Sequence, residues 1–337
     1  MFRTAIIGLG TIASIHLDAI RELEGIEIVA VCDIRPECHA LAPDLPFYSD
    51  VRELLDDSRL ALDAIHICLP HDAHLPVARL ALERGIAVLT EKPVTATLAE
   101  AKELVTLSEA PGARIAVCFQ NRLNPCSQAL LAAVRSGAHG RLIGLRGQVA
   151  WRRTPEYYAQ SPWRGRMERA GSGTLINQAI HTLDLLQLAA GSEPVTITGM
   201  VSQLQDYGPD VDVEDTAVAK IDFANGATGF FMSTNANALN EDVELVVHFE
   251  KTRFTIRGGC LLQQTDGVET RIAEDVRRSG AKFYYGAAHQ DMIQAFYDWL
   301  GGDSGAPIVT VREALVTVRI IDRILESSRR GAIPVAY

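Results

Sequence analysis

Two separate parts of the sequence carry polar residues suited to proton transfer. In GSGTLINQAIHTLDLLQLAAG, residues 171–191, Asn177, His181 and Asp184 follow one another at spacings of four and three. In a single helix these spacings put the three side chains on one face. Lys92 lies after an apolar run and directly before a proline, which favours an extended or turn conformation. A histidine exchanges protons near neutral pH, and an ammonium group stabilises a developing alkoxide.

Other chemistries fit these residues less well. One histidine and one carboxylate are too few good ligands for zinc, so we expect no metal site at Asn177, His181 and Asp184. The sequence has no GxSxG segment and no cysteine in a context that would activate it as a nucleophile. The polar stripe therefore indicates either groups that satisfy one another in a core or a face that contacts a bound molecule.

The amino-terminal segment has the pattern of a dinucleotide-binding βαβ unit. The apolar run Phe2–Ile7 ends in the turn GLGTIA, residues 8–13, and apolar residues then recur at helical spacing up to Gly25. Gly8 permits a tight turn, and Gly10 lets a pyrophosphate approach the backbone. The N-terminus of the helix supplies unpaired N–H groups to that pyrophosphate.

The residue that follows the second strand of this unit favours NAD over NADP. The apolar run Ile26–Cys32 ends in Asp33, which can accept both hydroxyls of an adenosine ribose and would repel a 2′-phosphate. We therefore expect NAD. Arg35 follows closely and could hold the 2′-phosphate instead, so NADP stays possible.

Strand and helix patterns continue to alternate up to about residue 120, which predicts a parallel, doubly wound sheet. Thr97 and Glu100 have the spacing of a capping box, which predicts the start of one of these helices. Polar clusters follow three of the strands, at residues 70–74, 91–93 and 120–122, and ligands of such sheets bind at these carboxyl ends. The predicted cofactor contacts are Gly8, Gly10, Thr11, Ile12, Asp33, Arg35, Leu69, Pro70, His71, His74, Glu91, Lys92, Gln120 and, further along the chain, Gln178. For His71 a plain loop role, and for His74 a capping or packing role, are the alternatives.

The remaining residues, 121–337, are predicted to form a second, α+β domain. Its segment WRRTPEYYAQSPWRGRMER, residues 151–169, is rich in arginine and aromatic residues, which suit a sugar ring or an anionic ligand. The predicted substrate contacts are Arg122, Tyr158, Trp163, Arg164, Asn177 and Asp184. The alternative for Tyr157, Tyr158 and Trp163 is a small hydrophobic cluster.

The second domain turns β-rich after Gly191. Alternating apolar stretches joined by turns such as Asn225-Gly226 predict an open, largely antiparallel sheet. One face of this sheet should pack against helices, and the other could be covered by a second copy of the chain.

Composition narrows the class of protein. A formal net charge of −10 argues against nucleic-acid binding, and the sequence has no apolar run long enough to span a membrane. The six cysteines are scattered, without the spacing of a zinc site or a disulfide scaffold. We expect a soluble, cytoplasmic protein with reduced thiols and no membrane partner.

Over nearly its whole length the chain resembles the glucose–fructose oxidoreductase/inositol dehydrogenase/rhizopine catabolism (Gfo/Idh/MocA) oxidoreductases. The resemblance lies in GLGTIASIH, CLPHDAH, EKP at 91–93, FQNRLNP, the YY and WRG segments, and GSGTLINQAIHTLDLL. It implies an NAD(P)-binding Rossmann domain, residues 1–120, and a substrate-binding and oligomerisation domain with an open sheet, residues 121–337. It also implies a homodimer or homotetramer formed through that sheet, and hydride transfer at a carbinol carbon of a sugar, cyclitol or nucleotide sugar.

The resemblance assigns roles to individual residues. Lys92 matches the lysine of the family's EKP motif, and His181 matches the histidine thought to exchange the hydroxyl proton. Asn177 departs from the family, which commonly has aspartate there, so the proton transfer falls on His181. Retention of Lys92 and His181 favours an enzyme over a regulatory protein that only binds the cofactor. An NAD-dependent glycosidase is a third possibility.

Overall fold

The computed structural model describes residues 1–276 and 288–337. Two compact units are present: residues 1–120 with 288–315, and residues 121–287 with 316–337. The strands are β1 (Phe2–Ile7), β2 (Ile26–Cys32), β3 (Phe47–Tyr48), β4 (Ala64–Ile67), β5 (Ala87–Glu91), β6 (Ile115–Cys118), β7 (Leu142–Ala150), β8 (Pro194–Ser202), β9 (Thr216–Phe223), β10 (Thr228–Thr234), β11 (Glu244–Phe249), β12 (Arg253–Arg257), β13 (Cys260–Thr265), β14 (Val268–Glu274) and β15 (Val335–Ala336).

The α-helices are α1 (Thr11–Arg21), α2 (Val51–Asp56), α3 (His74–Leu82), α4 (Leu98–Ser108), α5 (Pro125–Ser136), α6 (Pro155–Ala159), α7 (Met167–Ala170), α8 (Thr174–Asn177), α9 (Ile180–Ala190), α10 (Ala288–Leu300) and α11 (Val311–Arg329). Among the described residues, no helix has the length and apolar composition needed to cross a membrane. The six cysteines are all free thiols.

The first unit is built on a six-stranded parallel sheet with the strand order β3-β2-β1-β4-β5-β6. Every residue of β4, β5 and β6 is buried, as expected for strands covered on both faces. Thr97 and Glu100 form a reciprocal capping box at the start of α4, which confirms the helix start predicted there. The order and direction of the strands are those of a doubly wound Rossmann sheet.

The second unit is built on a nine-stranded sheet, β14-β13-β12-β11-β7-β10-β9-β8-β15, in which β7 and β10 run parallel and the other neighbours run antiparallel. The predicted hairpin at Asn225-Gly226 joins β9 and β10, with Gly226 at a φ of +83°. The predicted fold class, α/β with an open and largely antiparallel second sheet, is confirmed.

The two faces of the nine-stranded sheet differ. On the inner face α9 packs closely against two glycines, Gly147 of β7 and Gly229 of β10. A Cβ at either position would lie only 3.2 Å from a methyl group of the buried Leu186. On neighbouring strands, Met200 of β8 and Val218 of β9 are paired and are 55% and 40% exposed. The sheet therefore has one face buried under a helix and apolar side chains in solvent.

Candidate active site

The turn between β1 and α1 fits a phosphate group. Gly8 has a φ of +91°, and a Cβ there would lie 2.6 Å from the carbonyl oxygen of Cys68. A Cβ on Gly10 would meet no atom within 4 Å, so the space above it is open. Gly10 is also the N-cap of α1 and has no side chain to cover the first N–H groups, including those of Thr11 and Ile12. The glycine turn thus provides a cradle suited to a dinucleotide pyrophosphate.

Asp33 lies buried just after β2, beside this turn. Its Oδ2 accepts a hydrogen bond from the Leu9 N–H at 2.8 Å, and its carboxylate is paired with the Arg35 guanidinium at 3.1 Å. Burial alone would raise the pKa of Asp33, but hydrogen bonds from Arg35 and Leu9 lower it below its usual value. The carboxylate is therefore anionic at neutral pH, which suits a ribose with free hydroxyls better than one with a 2′-phosphate.

His74 joins the loops after β4 and β5. Its Nε2 lies 3.0 Å from the carbonyl oxygen of Leu69, and its Nδ1 lies 2.9 Å from that of Pro93. Burial lowers the pKa of His74, so the neutral ring donates to one of the two carbonyl oxygens at a time. Predicted cofactor positions at these strand ends, His71 and Gln120, are likewise buried, while Leu69 and Pro70 are half-buried.

Glu91 holds the backbone of Lys92. The Glu91 carboxylate is buried, and its Oε2 accepts the Lys92 N–H at 3.2 Å while its Oε1 accepts from His16 Nε2 at 3.0 Å. Burial would raise the pKa of Glu91, but the hydrogen bond from His16 and the proximity of His289, 3.7 Å away, keep it well below its usual range. Lys92 is half-buried, and its peptide bond to Pro93 is cis. Because the Glu91 carboxylate accepts the Lys92 N–H, the lysine is presented from a restrained backbone at the carboxyl end of the sheet.

A buried chain of hydrogen bonds supports Glu91. The Nδ1 atoms of His16 and His66 lie 2.8 Å apart, so one of the two must donate and the other accept. The pKa of His66 is lowered well below its usual value by burial and by the charge of His16. His16 therefore carries the proton, and His66, accepting at Nδ1, donates from Nε2 to the Tyr297 hydroxyl oxygen 2.8 Å away.

In the second unit, Glu214 holds the start of the segment that contains His181. The buried carboxylate accepts hydrogen bonds from Ser172 Oγ at 2.7 Å, Gly173 N–H at 2.8 Å and Leu175 N–H at 3.2 Å. A Cβ on Gly173 would lie 1.8 Å from the carbonyl oxygen of Glu214, so no other residue fits there. Burial raises the pKa of Glu214 despite these bonds.

The expectation of one continuous helix through Asn177, His181 and Asp184 is wrong. α8 ends at Asn177 and α9 begins at Ile180, because the carbonyl oxygen of Thr174 accepts from the N–H groups of both Gln178 and Ala179, at 3.2 and 3.0 Å. This wide turn shifts the helical phase, so Asn177 and His181 do not share one regular helical face.

Asn177 and Gln178 are held by different partners. The Asn177 amide donates towards the carbonyl oxygens of Ser172 and Gly173 at 3.4 and 3.3 Å, a contact that an aspartate carboxylate could not make. Gln178, predicted to contact the cofactor, donates to the Tyr157 hydroxyl at 2.7 Å and accepts from Asn235 at 3.0 Å. His181 lies in the first turn of α9, 7% exposed.

Arg122 and Asp184, both predicted to contact substrate, form a buried ion pair. Two nitrogens of the Arg122 guanidinium contact the two carboxylate oxygens of Asp184 at 2.7 and 2.8 Å, and Thr317 adds a hydrogen bond at 3.0 Å. Such a bidentate pair fixes the segment before α5 to α9. Contact of either residue with a substrate stays a prediction.

The predicted aromatic contacts separate into two environments. Tyr158 is buried in a small cluster with Tyr207, Val211 and Val213, which is the alternative that the sequence left open for it. Trp163 and Arg164 are half-buried, and the Arg164 guanidinium stacks 5.7 Å from the Trp163 ring centroid. Tyr158 thus belongs to the packing of this unit, while the Arg164 and Trp163 pair is open to solvent.

Residues 2–119 match the family described as an oxidoreductase family with an NAD-binding Rossmann fold, and residues 127–255 match the Gfo/Idh/MocA carboxy-terminal domain. The chain belongs to the Gfo/Idh/MocA family. It is accordingly an NAD-binding oxidoreductase, as the sequence predicted.

Relatives within the Gfo/Idh/MocA family cover the chain almost completely. D-apiose dehydrogenase of Paraburkholderia graminis is 25% identical over 98% of this chain and 88% of its own length. D-glucoside 3-dehydrogenase of Escherichia coli is 24% identical over 98% and 96%. The structure of the WlbA dehydrogenase of Bordetella pertussis, in complex with NADH and UDP-GlcNAcA, superposes with a TM-score of 0.85 at 24% identity, covering 100% of this chain and 98% of WlbA.

Two positioning residues of this Gfo/Idh/MocA chain escaped the sequence analysis. Both residues lie far along the chain from the segment that they hold. Glu214 is 39 to 42 residues from its hydrogen-bond donors, and Asn235 is 57 residues from Gln178. The available signal was the acidic pair Glu214-Asp215 directly before an apolar strand, where a solvated turn residue would be more usual.

Replacement Glu214→Gln tests the role of the buried carboxylate. A glutamine oxygen can keep the bonds from Ser172 and Leu175, but its NH2 group would face the Gly173 N–H, donor against donor. We expect a loss of about 2 kcal/mol in the free energy of unfolding, measured by urea denaturation. We also expect a fall in kcat that exceeds any change in NADH affinity, because the cofactor turn lies in the other unit.

The matched control is Glu250→Gln, which removes an exposed carboxylate paired with Arg141. Its free energy of unfolding should change by less than about 1 kcal/mol. Equal effects of the two substitutions would contradict the positioning role of Glu214.

Proposed function

We propose that this protein catalyses NAD-dependent hydride transfer at a secondary alcohol carbon of a sugar, cyclitol or sugar derivative. The observation that carries the proposal is Lys92, half-buried at the carboxyl end of a parallel sheet and held there by the buried, anionic Glu91. Ligands of doubly wound sheets bind at this edge. The dehydrogenase relatives, which act on apiose and on glucosides, support a sugar as the substrate class.

The glycine turn and Asp33 are suited to hold NAD, whose nicotinamide accepts or returns the hydride. His181 takes the hydroxyl proton as the carbon–hydrogen bond of the carbinol breaks and the carbonyl forms. Lys92 donates a hydrogen bond to the same oxygen and stabilises its developing negative charge. In reduction, His181 returns the proton.

Three of the predicted substrate contacts keep that role in this proposal: Asn177, Trp163 and Arg164 bind substrate hydroxyl or anionic groups. Arg122, Asp184 and Tyr158, which are paired or packed inside the second unit, hold the segments around them instead. The cofactor contacts, besides the glycine turn and Asp33, are Arg35, Leu69, Pro70, His71, His74, Glu91, Lys92, Gln120 and Gln178.

We also propose that the chain forms homodimers or homotetramers through the exposed face of the nine-stranded sheet. Met200, Val218 and Phe230 lie on three consecutive strands of that sheet, each at least 40% exposed. We expect the wild type to sediment as a dimer or tetramer at micromolar concentration, and Val218→Lys to shift it towards a monomer. A clean wild-type monomer would contradict this interface.

The assigned roles predict how variants behave in a fluorescence assay of NADH formation. The assay uses free sugars, sugar acids, inositols and nucleotide sugars, each with NAD and NADP. For the best substrate, His181→Asn should lower kcat/KM by about 10²- to 10⁴-fold, and Lys92→Ala by about 10²- to 10³-fold. NADH affinity of His181→Asn should stay near that of the wild type, since the histidine acts on the substrate hydroxyl.

Lys102→Ala, which removes an exposed lysine of α4, is the control and should leave turnover unchanged. If His181→Asn and Lys92→Ala each kept turnover within a few-fold of the wild type, the assignment would be wrong. Release of free sugar from a glycoside without net NADH formation would instead identify a glycosidase.

A further inference from the structure

Arginine and aromatic side chains stack alternately within residues 151–164 of the second unit. The Arg153 guanidinium lies 4.9 Å from the ring centroid of Trp151 and 5.3 Å from that of Tyr157. The Arg164 guanidinium lies 4.8 Å from Tyr157 and 5.7 Å from Trp163. These five residues form what we call the arginine–aromatic ladder. Stacking on ring faces fixes the planes of both guanidinium groups and leaves their N–H edges for other partners.

Three arginines in or beside the ladder keep their positive charge available for a ligand. Within the described part of the chain, Arg152, Arg153 and Arg164 form no ion pair with a carboxylate, whereas nearby Arg166 is paired with Asp210. Arg153 donates instead to two neutral acceptors, the Arg152 carbonyl oxygen at 2.8 Å and Asn240 Oδ1 at 3.2 Å. These contacts orient a cationic group without cancelling its charge.

Glu156, the acidic residue between Arg153 and Arg164 in the sequence, has other partners. Hydrogen bonds from Thr154 and from its own N–H hold the pKa of Glu156 below its usual value, with a smaller contribution from the charge of Arg152. Its carboxylate is therefore used at the start of α6 rather than in a salt bridge with the ladder.

A surface cavity opens beside the ladder. It has a volume of about 390 Å³ and is lined by Arg152, Arg153 and Tyr157 on one side and by Leu239 and Asn240 on the other. That volume is within the range of small-molecule sites. Two guanidinium groups, an aromatic ring and an amide are a donor-rich lining of the kind that binds phosphate or carboxylate oxygens.

The cavity is linked to the segment that contains His181. Tyr157 lines the cavity, and its hydroxyl accepts the hydrogen bond from Gln178, which lies three residues before His181. Gln178 is itself held by Asn235. One hydrogen-bonded network within this unit therefore fixes both the cavity wall and the turn that leads to His181.

We propose that this cavity binds an anionic substituent of the substrate, so that the substrate is a sugar or polyol carrying a phosphate, diphosphate or carboxylate group. The proposal rests on the proposed function and adds the charge class of the substrate. Arg152 and Arg153 provide the charge, and Tyr157 provides the wall on which the sugar-bearing part of the ligand lies.

Tryptophan fluorescence gives a direct binding test, because Trp151 and Trp163 belong to the ladder. The full-length protein, without cofactor, is titrated with pyrophosphate, glucuronate, UDP and glucose. We expect at least one of the three anions to bind saturably, more weakly at high than at low ionic strength, and glucose to cause no saturable change. A response to pyrophosphate and UDP identifies a phosphate ligand, and a response to glucuronate alone identifies a carboxylate.

The double variant Arg152→Gln/Arg153→Gln should weaken binding of the responding anion at least tenfold and lower kcat/KM for the matching anionic sugar at least tenfold. Arg141→Gln removes an exposed arginine elsewhere in the unit and should change neither more than twofold. Binding of no anion, or equal binding by the double variant, would overturn the inference. Efficient oxidation of neutral sugars alone would also overturn it and leave the proposed function intact, whereas no NAD reduction with any sugar would refute the proposed function itself.

Discussion

Burying a carboxylate is unfavourable unless hydrogen bonds replace its water, yet each unit holds one beside the segment that presents a candidate proton-transfer residue. Glu91 accepts from His16 and from the N–H of Lys92. Glu214 accepts from Ser172, Gly173 and Leu175, just before the turn that leads to His181. Because removing either carboxylate would leave buried donors without acceptors, each carboxylate confines the backbone of its own segment to one geometry.

Close packing around α9 restrains the same segment further. Gly173 has to pass within van der Waals contact of the Glu214 backbone, and Gly147 and Gly229 let Leu186 approach the sheet. A rigid start and a rigid inner face together leave His181 few alternative positions. The chain thus combines an apolar scaffold with polar groups whose orientation is set by buried partners.

Local signals in the sequence were sufficient to predict much of the fold. The capping box at Thr97 and the tight turn at Asn225-Gly226 each act over a few residues, and both are present. The hairpin of β13 and β14 was missed, although Asp266-Gly267 is a strong turn signal, because its strands are polar and partly exposed. Sequence distance explains the other omissions, since Asn235, which holds the Gln178 side chain beside the wide turn after Thr174, lies 57 residues further along the chain.

In the proposed reaction, hydride passes directly between a substrate carbon and NAD. The most direct measurement uses the best substrate of the sugar panel, deuterated at the carbon that is oxidised, with mass spectrometry of the NADH formed. We expect one deuterium per NADH at C4 of the nicotinamide and none exchanged into water. Unlabelled NADH, or deuterium recovered in the solvent, would contradict it.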